Sequence, residues 1–138
     1  MMDMQYRIKN CVLPHEKQQA YQLLLEQGLT IDAEVTDTLA VFHDETLIGT
    51  GSLYHHVIKM IAVKDEYQGE GVTGLLLAHL IDILKLKGVK KYFLYTKPEN
   101  QKFFLDYNFS LVYATDEIVM LENKDYTIKE HLIDIKSK

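Results

Sequence analysis

The apolar positions of the chain switch between a two-residue and a helical period, and the switches mark out its elements. Tyr6 to Val12 alternates moderately, as a strand does, and Pro14 with the polar HEKQQ opens a helix carrying Ala20, Leu23 and Leu24 at helical spacing up to Gly28. The polar, acidic text from Leu29 to Thr38 predicts loop or a short helical turn. LAVFHDETLIGTGSLYHH then predicts two strands, Leu39 to His43 and Thr46 to Tyr54, divided by Asp44 and Glu45 at hairpin spacing. HVIKMIAV predicts a third antiparallel strand ending near Val63. After YQGEGVTG comes the clearest helix, with Leu76, Leu77, Leu80, Ile83 and Leu84 on one face, Ala78, Asp82 and Lys85 opposite, and Gly88 as its stop. Lys91 to Thr96 reads as a buried strand. Pro98 marks a helix start, with Phe103 and Phe104 facing inward until Asn108, a residue type that tolerates the left-handed stop. LVYATDEIVMLE predicts two short strands around Thr115 and Asp116, and Ile128, Leu132 and Ile135 give residues 123–138 a weakly amphipathic, helical tail. The sum is a mixed α/β chain whose sheet is largely antiparallel.

Composition narrows the classes. A chain of 138 residues is the size of one domain, so 1–138 is expected to fold as a single unit. Its 47% hydrophobic and 25% charged residues are ordinary for a globular protein, and no apolar run approaches the roughly 20 residues that would cross a bilayer. The N-terminus lacks the pattern of a secretory signal, and the lone Cys11 has no internal disulfide partner, so a cytoplasmic location is expected. A net charge of −5 without a long basic run argues against nucleic acid as the main partner. No residues at metal-ligand spacing stand out, and no metal is expected.

Three of the chain's seven glycines, Gly69, Gly71 and Gly74, fall within YQGEGVTG and spell G-x-G-x-x-G. The dinucleotide reading of that spelling fails on context. Five residues (KDEYQ) intervene between the end of the preceding strand and the first glycine, the next strand ends in Thr96-Lys97 rather than an acid, and the upstream strands read as antiparallel hairpins. No G-K-[ST] follows, which excludes a P-loop. Two readings stay open: free amides at a helix start, a site for phosphate oxygens, or a turn and a tight helix–strand contact.

The run IAVKDEYQGEGVTGLLLAHLI resembles the coenzyme-binding motif of the GNAT superfamily of acyl-CoA-dependent N-acyltransferases: an apolar strand, a short spacer, Q/R-x-x-G-x-G/A and an apolar helix. Gln68, Gly69, Glu70 and Gly71 match in register, while Thr73 stands where the family prefers Gly or Ala. The order of elements is similar to that fold over roughly residues 4 to 122. LIGTGSL, VIKMIAV, YQGEG and FLYTKPEN followed by FFLDYNF are further similar to the N-terminal acetyltransferase-like domain of citrate lyase ligases, whose second, nucleotidyltransferase domain has no counterpart in these residues.

The resemblance implies a GNAT acyl-CoA N-acyltransferase fold, acetyl-CoA as cosubstrate and a primary amine of a small molecule or peptide as acceptor. It implies that the strand ending at Val63 splays from Lys91 to Thr96, that pantetheine pairs with Ile61 and Val63, and that a strand amide meets the thioester oxygen as it becomes an oxyanion. It further implies that the amides of Gln68, Gly69, Glu70, Gly71, Val72, Thr73 and Gly74 hold the pyrophosphate, that Asn100 reaches the pantetheine side, and that Phe104 lies near the thiol. On this reading Gly71→Glu or Gly74→Glu is expected to abolish coenzyme binding with the fold intact. One position departs. Counting back from Phe109, the family's general-acid tyrosine is replaced by Phe104, leaving Tyr107 and Tyr95 as substitutes. His56, His55 and Glu66 are the candidate bases for the attacking amine; each also reads as a plain surface residue. His79 reads as packing and Cys11 as buried and inert. Two functions follow, an N-acetyltransferase or a non-catalytic coenzyme A-binding regulatory module, and a homodimer is left open.

Overall fold

A computed structural model of the chain describes residues 6–32, 34–125, 132–133 and 135–136. Its elements are β1 (Tyr6–Asn10), α1 (Pro14–Glu26), β2 (Asp37–His43), β3 (Thr46–Tyr54), β4 (Val57–Val63), α2 (Val72–Leu86), β5 (Phe93–Thr96), α3 (Gln101–Asp106), β6 (Phe109–Ala114) and β7 (Val119–Asn123), with single 3₁₀ turns at Asp65–Tyr67 and Pro98–Asn100. The seven strands form one sheet in the order β1-β2-β3-β4-β5-β7-β6. All neighbours are antiparallel except β4 and β5.

That exception shapes the molecule. Parallel neighbours need a crossover, supplied here by the glycine loop and α2. The two strands pair only at Val57–Phe93 and Ile58–Leu94, and beyond Ile58 they part. The cause lies within β4. Met60 adopts φ 56, a left-handed conformation disfavoured for a long side chain, and between Thr50–Ala62 and Ser52–Lys59 two residues of β4, Met60 and Ile61, oppose Gly51 alone. Such a bulge bends its strand and breaks the ladder, steering Ile61 to Val63 away from β5.

The helices cover the sheet from both faces. On one, α2 buries Leu76, Leu77, Leu80 and Leu84 against Val41, Ile48, Leu53, Ile58 and Leu94. Each buried leucine contributes roughly 1.5–3 kcal/mol of transfer free energy. The approach is close because β3 presents Gly49 and Gly51, where a Cβ would meet Val72 Cγ1 at 3.0 Å and Leu80 Cδ1 at 3.1 Å. On the other face α1 packs Ala20, Leu23 and Leu24 with Ala40, Phe42, Leu47 and Ala62.

The sequence reading needs small corrections. The first strand stops at Asn10, not Val12, and the fifth begins at Phe93, with Lys91 and Tyr92 buried before it. Phe104 points inward as expected, but Phe103 is 43% exposed, because six-residue α3 offers only one side to the core. Asn108, at φ 72, does end that segment. Of the predicted tail helix, Ile128 lies outside the described residues, while Leu132 and Ile135 are exposed.

Candidate functional site

The divergence of β4 and β5 opens a cleft of about 1150 Å³. Met60 to Val63 form one wall, Tyr95 to Lys97 with Glu99, Asn100, Phe103 and Phe104 the other, and the loop from Gln68 to Thr73 with Gly74 one end. The segment Gln27 to Thr30 with Asp32 and the β6–β7 turn at Glu117 and Ile118 complete the lining. A smaller hollow of about 450 Å³ at the far end of α2, around Lys85, Lys90 and Tyr92, shares no residue with it.

Main-chain groups dominate the chemistry of this cleft. Lys64 donates its N–H to the Ile48 carbonyl at 2.8 Å, and Gly49 pairs with Val63 and Thr50 with Ala62. Alternation along an antiparallel pair therefore turns the N–H and C=O of Val63 away from β3 and into the gap. The Val63 carbonyl takes the Gln68 side-chain amide at 3.1 Å. At α2, Gly71 is the N-cap at φ 84, and Leu75 makes the first intrahelical bond, to the Gly71 carbonyl, at 3.0 Å. Among the described residues no protein acceptor is found for the N–H groups of Gly69 to Gly74. Helix starts leave such donors free and carry roughly half a positive charge, so this row suits an anion. The Gln68 N–H is excluded, because it donates to the Asp65 carbonyl at 3.2 Å.

Side chains hold the loop from outside. Tyr67 shares a 2.6 Å hydrogen bond with His43 Nδ1, and both rings pack edge-on against Tyr6. Tyr6 donates to Glu70 at 3.3 Å, and its hydroxyl is pushed above the usual phenol range, by desolvation first and then by that carboxylate. Asp65 accepts from Gln27 at 3.0 Å and from Gln68 at 3.3 Å, tying the end of α1 to the loop. Along the β4 wall Asp32 pairs with Lys59, and its amide donates to the Met60 sulfur at 3.3 Å. The Lys59 hydrogen bond holds the Asp32 carboxyl below the usual range. Lys97 reaches from β5 to the Gln27 carbonyl at 2.9 Å.

The cleft gathers Ile61, Val63, Gln68, Gly69, Gly71, Val72, Thr73, Gly74, Asn100 and Phe104 among the residues singled out from sequence. Others lie elsewhere. Glu70 turns its carboxylate out to Tyr6, so only its amide belongs to the row. His55 and His56 form the β3–β4 turn, at the end of β4 opposite the cleft; His55, at φ 55, packs on Tyr54 and His56 on Phe93. Glu66 sits in the 3₁₀ turn and does not line the cleft, and neither does Tyr107, whose hydroxyl lies against Gly74. Tyr95 does line it, half-exposed. His79 bonds the Leu75 carbonyl within α2 at 3.0 Å. Cys11 is buried, and desolvation pushes its thiol up, away from the reactive thiolate. Gly74→Glu is not the clean probe it promised to be, since a Cβ there would lie 2.5 Å from Tyr107 Oη. Sequence reasoning missed Asp32, Lys59, Lys97 and Glu117. Asp32, Lys97 and Glu117 stand in loops and Lys59 inside β4, with no local spacing to mark them, and only the fold brings them to one cleft.

Comparison with known proteins agrees with this geometry. A model of the acetyltransferase (GNAT) family matches residues 2–107. The [citrate [pro-3S]-lyase] ligase of Escherichia coli (strain K12) is 29% identical over 116 residues, covering 83% of this chain and 33% of that protein. The corresponding ligase of Klebsiella pneumoniae is 30% identical over 103 residues, 74% of this chain and 30% of that protein. The chain thus spans about a third of the length of the curated relatives it matches. Among solved structures, the PaiA N-acetyltransferase of Thermoplasma acidophilum, in complex with coenzyme A, superposes with a TM-score of 0.70 at 17% identity, over 88% of this chain and 99% of that one, a likeness of fold.

Proposed function

Because the chain belongs to the acetyltransferase (GNAT) family, we propose that it transfers an acetyl group from acetyl-CoA to a primary amine. The observation that carries this reading is the row of partnerless amides from Gly69 to Gly74 at the end of a cleft opened by the parting of β4 and β5. The residues fit the coenzyme. The amide row suits a diphosphate, the Val63 N–H turned into the cleft suits the amide-bearing pantetheine arm, and the volume of about 1150 Å³ is ample for a small-molecule site.

Catalysis on this reading is mostly positioning and a preorganised donor. The Val63 N–H, turned into the gap, donates to the thioester oxygen as the amine nitrogen attacks the carbonyl carbon; donors of this kind typically lower the barrier by about 3–4 kcal/mol. The carbon–sulfur bond then breaks. Phe104 has no proton to give, so the sulfur leaves as thiolate, which a thiol pKa near about 8.5 permits, with Tyr95 as the hydroxyl in the cleft that meets it through water. For the amine's proton, Asp32 is committed to Lys59 and Asp65 to two side-chain amides, which leaves Glu99, in the turn after β5, and Glu117, at the β6–β7 turn, as the two carboxylates we assign as candidate bases.

Calorimetry with coenzyme A, followed by acetyl-CoA and an amine panel with free thiol as readout, tests the proposal. Saturable heat and amine-dependent thiol release are expected, and folded protein that gives no heat with coenzyme A overturns it. Binding without release above background for any amine would favour the second reading, a non-catalytic coenzyme A-binding module, which the phenyl ring at Phe104 supports.

A further inference from the structure

The glycines of the loop are small for different reasons. Gly69 and Gly71 both hold φ 84, a left-handed conformation, with nothing near the space a side chain would fill. Gly74 lies within α2 and lacks room instead: a Cβ there would sit 2.5 Å from Tyr107 Oη and 3.2 Å from its Cζ. Tyr107 immediately follows α3, and its ring stacks on Phe103 at 5.4 Å and 17°. Phe103 and Gly74 both line the cleft, Phe103 in the wall that follows β5 and Gly74 at the end made by the glycine loop. Tyr107 is nevertheless 40% exposed, so its hydroxyl end rests on the glycine without the ring being part of the core.

We infer that Gly74 and Tyr107 are a size-matched pair that seats α3 against the first turn of α2 and so sets the distance between the free amides and the Phe103 wall. Tyr107 is then a positioning residue for coenzyme binding, and Gly74 is small to admit Tyr107 rather than the ligand. The inference rests on the coenzyme reading above. Its physical basis is the shortness of α3. Six residues are far fewer than a helix needs to stand alone, so its placement depends on what its side chains meet: Phe104 inward, and Tyr107 over Gly74.

A size exchange tests it. Gly74→Ala should weaken coenzyme A binding about tenfold in calorimetry and lower the melting temperature, because the added methyl makes the Tyr107 ring move and the Phe103 ring stacked on it moves with it. Gly74→Ala combined with Tyr107→Leu should bring affinity back to within about threefold of the wild type and restore the melting temperature, a coupling that independent sites do not show. If Gly74→Ala binds like the wild type, or its defect persists undiminished in the double variant, the pair does not set the cleft and the inference is overturned. Wild-type protein that gives no heat with coenzyme A, while the double variant recovers its melting temperature, would overturn the coenzyme reading and leave the pair standing.

Discussion

At Thr73 the demands of the helix and of an anionic ligand can be separated. It is the second residue of α2, half-buried at the cleft, where a negative charge favours the helix by roughly 0.3–1 kcal/mol and repels a diphosphate. Thr73→Glu is therefore expected to keep or raise the melting temperature while weakening coenzyme A binding at least tenfold, a loss of about 1.4 kcal/mol by calorimetry. Unchanged affinity would remove the amide row from the site. Gly71 poses the converse case. Its φ of 84 burdens any other residue by roughly 1–2 kcal/mol, so Gly71→Ala is expected to lower stability in urea by that amount without a steric clash. The glycine cluster announced itself in the sequence as a place where side chains are unwelcome. Which glycines answer to backbone angle and which to a neighbour did not show, because Tyr107 lies 33 positions away in the chain and meets Gly74 only in the folded state.

Among the elements, the hairpin β3–β4 lines the cleft at one end and makes only a turn at the other. His55 turns the chain at φ 55, so His55→Gly is expected to raise the melting temperature by relieving about 0.5–1 kcal/mol of strain, with turnover unchanged. Loss of amine-dependent thiol release in that variant would restore His55 as a candidate base. The far end of β4 works through irregularity. The bulge at Met60 parts β4 from β5, yet MIAV reads in sequence as uninterrupted strand, since neither Gly nor Pro marks the break. Helix α2, by contrast, was legible throughout, because its leucines recur at the helical period and one face takes nearly all the burial. Leu80→Ala is expected to cost about 2–5 kcal/mol of stability in urea unfolding, leaving a cavity between α2 and β3 that backbone contacts cannot close.

For the molecule as a whole, two lowered carboxylates act on stability at the acid end and the raised Tyr92 phenol, with Tyr6 and the Cys11 thiol, at the alkaline end. Glu16 and Asp32 both titrate below their usual range, Glu16 chiefly through Lys9 at 2.6 Å and Asp32 chiefly through Lys59. A carboxyl lowered on folding stabilises above its unfolded pKa, and that stabilisation is lost as pH falls through the folded value. Melting temperature should therefore hold above about pH 4.5 and fall below it, and Glu16→Gln with Asp32→Asn should flatten the acid limb. Tyr92 has the opposite sense. Burial, then Asp125, pushes its hydroxyl from 10.0 up to about 12, so its contribution is intact below pH 10.0 and is lost as pH rises through about 12. Tyr92→Phe should remove that part of the alkaline decline. No helix among the described residues is long and apolar enough to cross a membrane.

The sequence by itself determined the elements, the mixed and mostly antiparallel sheet, and the loop whose backbone a ligand could approach. These rest on periods and residue types confined to a few neighbouring positions. Tertiary structure alone decided which groups face the cleft. It took the Gln68 amide out of the row and turned Glu70 toward Tyr6. It set His55 and His56 at the end of β4 away from the cleft and brought Lys97, Asp32 and Glu117 into its lining. The reason is physical. A side chain's direction depends on the strand register, the bulge at Met60 and the packing of distant partners, and none of these leaves a periodic mark along the chain.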